Sequence, residues 1–124
     1  MPGLYLHFGA GNIGRSLAGA LFSQAGYEVL FADAAPELVR ALHEQRRYRV
    51  VVKDTLPPGA PGAYWIERVD AISALDAGAV AAAVARADVI GTAGGAKALP
   101  AVLRSLAAGL ARRAAPVSIL FCEN

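Results

Sequence analysis

At 124 residues the chain has the length of one domain, enough to bury about two-thirds of the surface its unfolded form exposes. Hydrophobic residues make up 56% of it and the mean hydropathy is +0.42. Alanine supplies much of that, and no apolar run approaches the ~18 residues that a membrane span requires. The formal charge of +2 rests on arginines scattered over polar positions without interleaved aromatics, a pattern of solvated faces that argues against a nucleic-acid partner. The single Cys122 forms no intrachain disulfide and suits a reducing compartment. No basic stretch followed by an apolar core opens the chain, so a cytoplasmic protein with no membrane partner is expected.

In chain order, Leu4-Tyr5-Leu6-His7-Phe8 falls within a strand over about 3–8. A helix over about 12–25 ends before Gly26, a C-capping residue. Residues 28–32 form a second strand, and a helix opens near Pro36 with Leu38, Val39 and Leu42 on one face, reaching about Arg46. The pattern then becomes β-rich at 48–53 and 64–69 around a loop of Pro57, Pro58, Gly59, Pro61 and Gly62, which predicts an antiparallel ribbon inserted at about 48–69. Alternation resumes with a short strand near 71–73, a helix at about 76–86, a buried strand at 88–92, a helix at about 97–113 and a last strand at 117–121. Strands joined by helices predict an α/β fold: a Rossmann-type, doubly wound parallel sheet with its ligand crevice at the carboxyl ends of the strands.

The first strand runs into Gly9-Ala10-Gly11-Asn12-Ile13-Gly14, and Asp33 follows 19 residues after Gly14, at the end of the second strand. Strand, G-x-G-x-x-G, helix, strand and acid together form a dinucleotide-binding fingerprint, far more specific than the glycines alone. Gly9 permits the tight turn, Gly11 removes a Cβ where a pyrophosphate approaches, and Gly14 lets helix and sheet pack closely. The helix opening near Asn12 turns N–H groups and a positive dipole toward that pyrophosphate. Asp33 accepts from ribose hydroxyls and repels a 2′-phosphate, which favours NAD over NADP. Arg15, in the first helical turn, suits a pyrophosphate oxygen or a substrate phosphate. Ala93-Gly94-Gly95 ends the buried strand and brings backbone toward the dinucleotide. His7 reads as a satisfied core histidine, Cys122 as a small buried residue, and Tyr64 and Trp65 as packing for the ribbon. Two histidines and one cysteine give no metal cluster.

The stretch His7-Phe8-Gly9-Ala10-Gly11-Asn12-Ile13-Gly14-Arg15, with Phe31-Ala32-Asp33 and Cys122-Glu123-Asn124, resembles the polyol-specific long-chain dehydrogenase/reductase family, and within it the dehydrogenases of mannitol 1-phosphate. The resemblance covers the whole chain but only the family's N-terminal NAD domain. It implies hydride transfer between NAD and a polyol phosphate, such as the mannitol 1-phosphate and fructose 6-phosphate pair. It also implies a catalytic role for Asn124, holding the carbonyl or alkoxide oxygen. A larger helical domain carries the family's catalytic lysine, and neither Lys53 nor Lys97 lies in a matching motif. Residues 1–124 are therefore expected to be a single NAD-binding domain, inactive alone, with the helical catalytic domain absent. Ser16-Leu17 stands where the family commonly has Gly-Phe. Another NAD-dependent polyol or sugar-acid dehydrogenase, or a standalone nucleotide-binding module, remains an open alternative, and the sequence does not set the oligomeric state.

Overall fold

A computed structural model describes residues 3–53 and 55–123. Strand β1 (Leu4–Phe8) leads into helix α1, wound as a π-helix over Gly14–Gly19 and as an α-helix over Ala20–Gln24. Then follow β2 (Glu28–Asp33), α2 (Pro36–Gln45), β3 (Arg47–Val51), β4 (Ala63–Glu67), β5 (Val69–Ser73), α3 (Ala77–Arg86), β6 (Val89–Thr92), α4 (Leu99–Leu110) and β7 (Ser118–Phe121). Five strands make one parallel sheet in the order β5-β2-β1-β6-β7, while β3 and β4 pair with each other as a separate antiparallel ribbon. The predicted Rossmann-type sheet with an inserted ribbon is the observed fold.

Because side chains alternate across a strand, β1 splits its residues between two cores. Leu4, Leu6 and Phe8 join Leu30 and Ile90 on one face, covered by Val80 and Val84 of α3 and Leu106 of α4. Tyr5 joins Val29, Phe31 and Ala71 on the other, covered by Ala18 of α1, Leu42 of α2, and Tyr48 and Ile66 of the ribbon. The central strand β1 is buried along its whole length, as parallel strands with helices on both faces require.

The ribbon differs from expectation at its exit. The run 64–69 does not continue as one strand: β4 ends at Glu67, Arg68 takes a left-handed φ of 61°, and β5 already begins at Val69. Arg68 holds that bend by donating to the Ser23 and Gly26 carbonyls, at 3.0 and 3.4 Å. Arg46, at φ 59°, makes the matching bend where the chain enters the ribbon, and the Val69 N–H donates to its carbonyl at 3.3 Å. No helix among the described residues is long and apolar enough to cross a membrane.

Candidate functional site

The loops after β1 and β6 meet at the carboxyl edge of the sheet. Gly9 has φ +100°, a conformation that costs an L side chain dearly. A Cβ there would also press to 3.0 Å from the Ala93 carbonyl and 3.1 Å from the Gly94 Cα. The Ala93 N–H donates to the Phe8 carbonyl at 2.9 Å, so the turn of Gly9 and the Ala93–Gly94 turn are fixed against one another. Gly14 is buried, and a Cβ on it would run into the Gly9 carbonyl oxygen and the His7 ring. Gly11 differs: nothing lies within 4 Å of the place its Cβ would take. One glycine therefore serves packing, and the other leaves open space above the backbone, where the fingerprint puts a pyrophosphate.

Asp33, half-buried at the end of β2, accepts the Ala10 N–H at 2.7 Å and the Ala35 N–H at 2.8 Å, one on each carboxylate oxygen. It thus orders the fingerprint loop as well as facing the crevice. The remaining lone pairs of both oxygens are available to ribose hydroxyls. Beside it lies a cavity of about 240 Å³, lined by Phe8, Gly9, Asp33, Gly94, Leu75 and Val102 among others. Its walls are mainly apolar, suited to a flat heterocycle. Leu75 and Val102 carry no motif that marks them in the sequence, and Leu75 is 79% exposed.

The other fingerprint residues are brought to the same edge. Ala10 is buried, while Asn12 and Ile13 are exposed at the start of α1. The Asn12 carbonyl accepts the Ser16 hydroxyl. The Arg15 N–H donates to the Gly11 carbonyl at 3.0 Å, and its own carbonyl accepts the Tyr48 hydroxyl at 2.6 Å. The Arg15 Nε is buried and has no hydrogen-bond partner among the described residues. Asn124 lies outside the described residues; the preceding Glu123 accepts the Gly95 N–H at 2.9 Å, which ties Glu123 to the loop after β6.

His7 is wholly buried but only half satisfied. Its Nδ1 lies 2.5 Å from the Tyr5 hydroxyl, and Nε2 has no partner among the described residues. With Nδ1 as its sole partner, the tyrosine O–H donates, which leaves the proton of a neutral imidazole on Nε2. Burial drives its pKa down to about 4, against a smaller upward pull from Glu123. Burial likewise pushes the Tyr5 hydroxyl well above its ordinary value. Cys122 is half-buried rather than buried, and Trp65 is 50% exposed with the Arg47 guanidinium 4.1 Å from its ring centre. Among the described residues no three His, Cys, Asp or Glu groups are placed to hold a metal ion.

The sequence pattern of the mannitol dehydrogenase Rossmann domain matches residues 4–124. The chain belongs to this family. Among its relatives, the mannitol-1-phosphate 5-dehydrogenase of Brevibacillus brevis is 43% identical over 125 residues, which are 98% of this chain and 31% of that protein. Proteins of the same name from Geobacillus stearothermophilus and an Arthrobacter species are 42% and 40% identical, over 98% and 96% of this chain and 32% and 31% of theirs. The chain thus spans about a third of the length of these relatives. A Rossmann domain of the mannitol dehydrogenase family suggests a nucleotide cofactor.

Proposed function

We propose that residues 1–124 form the NAD-binding domain of a polyol-phosphate dehydrogenase that interconverts mannitol 1-phosphate and fructose 6-phosphate. The observation that carries the NAD reading is the pairing of an open cradle at Gly11 with a carboxylate, Asp33, held by two backbone N–H groups. The residues fit the group: an anion finds the N–H groups of a helix opening, a flat base finds the apolar cavity, and a 2′-hydroxyl finds an acceptor where a 2′-phosphate finds repulsion. The substrate reading rests on the relatives' names and on the match across residues 4–124.

NAD, when bound, supplies the hydride acceptor. This chain's residues bind and orient it. Gly9, Ala10, Gly11, Asn12, Ile13 and Gly14 hold the pyrophosphate with the Arg15 guanidinium beside it, Asp33 holds the adenosine ribose, and Ala93 and Gly94 guide the path toward the nicotinamide. Asn124 steadies the substrate oxygen by hydrogen bond. The base that takes the hydroxyl proton belongs to the length of the relatives that this chain does not span. On this reading the 124-residue chain binds NAD, yet oxidises no mannitol 1-phosphate by itself. General acid–base assistance is worth about 10²–10⁴-fold and positioning between two domains several kcal/mol more.

The test is twofold. Calorimetric titration with NAD and NADP should give tighter binding of NAD. NADH absorbance should stay flat when the chain meets NAD and mannitol 1-phosphate, and should rise with a polypeptide of the relatives' full length. Equal affinities would refute the cofactor assignment, and turnover by the short chain would show that the base lies within it.

A further inference from the structure

A second cleft, of about 360 Å³, lies on the ribbon side of α1, between its first turn and β3. Its walls include Asn12, Arg15, Ser16, Tyr48, Arg49 and Lys53. Three of these are cations, Arg15 from the fingerprint helix and Arg49 and Lys53 from the ribbon. Three positive charges converging on one concavity, with no carboxylate among the described residues lining it, repel one another, an arrangement that an anion relieves. Arg15 adds a second, independent sign: its Nε–H is buried without an acceptor among the described residues, and such a donor stays costly until one arrives.

The fold explains why these groups converge. β3 rises toward the carboxyl edge of the sheet alongside α1, held there by Tyr48, whose ring meets Phe31 at 5.9 Å and whose hydroxyl donates to the Arg15 carbonyl at 2.6 Å. That contact sets the cationic end of the ribbon against the first turn of the fingerprint helix. Arg47, by contrast, stacks on Trp65. Asn12 and Arg15 belong both to the fingerprint and to this cleft, so the cleft adjoins the pyrophosphate position on its ribbon side.

We infer that this cleft, through Arg15, Arg49 and Lys53, is a phosphate-monoester subsite. On the proposed function above, on which the assignment to a source rests, it receives the phosphate of the polyol substrate. A monoester is nearly dianionic at neutral pH, which matches three cations better than either singly charged phosphate of a pyrophosphate. Guanidinium groups supply the paired donors that phosphate oxygens accept.

The test uses the ¹⁵N-labelled chain saturated with NAD, titrated with mannitol 1-phosphate, with inorganic phosphate and with mannitol. The amides of Ser16, Arg49, Val50 and Lys53 should shift with the first two and not with mannitol. Arg49→Ala and Lys53→Ala, both exposed positions, should each weaken the phosphate response about tenfold and leave NAD affinity unchanged. Arg49→Lys should recover part of the loss. Absence of the shifts, their abolition by NAD, an equal response to mannitol, or wild-type phosphate affinity in both variants overturns the subsite. A tenfold loss of NADP binding in Arg49→Ala, with no effect on mannitol 1-phosphate, overturns the substrate as its source. If NAD fails to bind while phosphate still shifts the cleft, the cofactor reading falls and the subsite stands.

Discussion

Replacing Asp33 by Ala separates the two duties of that carboxylate. In the native protein it accepts two backbone N–H groups, from Ala10 at 2.7 Å and Ala35 at 2.8 Å. Hydrogen bonds to a charged acceptor contribute about 1.5–3 kcal/mol each when shielded. Asp33 is only half-buried, so water takes over part of both bonds in the variant, and a total loss of about 2 kcal/mol is expected. For a domain of this size that lowers Tm by roughly 6–10 °C. Loss of the ribose acceptor should cost NAD about another 2 kcal/mol, or about thirtyfold in Kd. NADP binding should fall less or improve, because the repulsion of its 2′-phosphate disappears with the charge. Asp33→Asn keeps one oxygen acceptor but turns an NH₂ toward the other backbone donor, so its Tm should lie between the two. Calorimetric titration with both dinucleotides and a thermal melt of each variant measure all of this. An NAD affinity within threefold of wild type, or an unchanged ratio of NAD to NADP affinity, would refute the role given to Asp33; an unchanged Tm would refute its hold on the fingerprint loop.

The two inner glycines should respond oppositely to alanine. Gly14→Ala should lower stability by about 2–3 kcal/mol in urea titration, since its Cβ meets the Gly9 carbonyl and the His7 ring. Gly11→Ala should leave the melt within about 0.5 kcal/mol of wild type yet weaken NAD at least about tenfold, because its Cβ fills space that only a ligand uses. His7 links stability to pH: its folded pKa of about 4 lies below the unfolded value of 6.5, so an unfolded chain takes up a proton that the folded one refuses. Its contribution is complete above pH 6.5 and is lost as pH falls toward 4, by roughly 2–3 kcal/mol. In His7→Gln this part of the slope should vanish from urea titrations between pH 7 and 5, and an unchanged slope would assign it elsewhere. Ala98→Phe should fill the apolar cavity beside Asp33 and weaken NAD about tenfold or more, with little change in phosphate binding at the ribbon cleft.

Sequence spacing reveals β1, the fingerprint turn and β2 well, because glycine, helix periodicity and the acid at the next strand end each report a different physical constraint. The ribbon is legible as an insertion, but its exit is not. Val69 extends a β-prone run, and nothing in the residue type of Arg68 announces a left-handed bend that its own side chain then secures. The π-winding of Gly14–Gly19 is likewise silent, since it changes hydrogen-bond register and not residue preference. At the candidate site, the residues proposed to meet a nucleotide through backbone or charge carry motifs. Leu75 and Val102, which wall the apolar cavity, read as ordinary surface and helix residues. The cationic cleft illustrates the limit most clearly. Arg15 was singled out for its place in the fingerprint, whereas Arg49 and Lys53 read as solvated positions until the ribbon folds them against it.

The two left-handed arginines have a consequence for how this domain can vary. The chain leaves the sheet layer at Arg46 and returns at Arg68, and the bond from Val69 N–H to the Arg46 carbonyl pins departure and return side by side. Whatever lies between them is grafted at a single closed point, so lengthening or shortening the Pro- and Gly-rich tip at 57–62 costs only the slow logarithm of loop closure. The parallel sheet does not feel the change. Evolution and protein engineering alike can therefore redraw the tip while the five-stranded platform keeps its register.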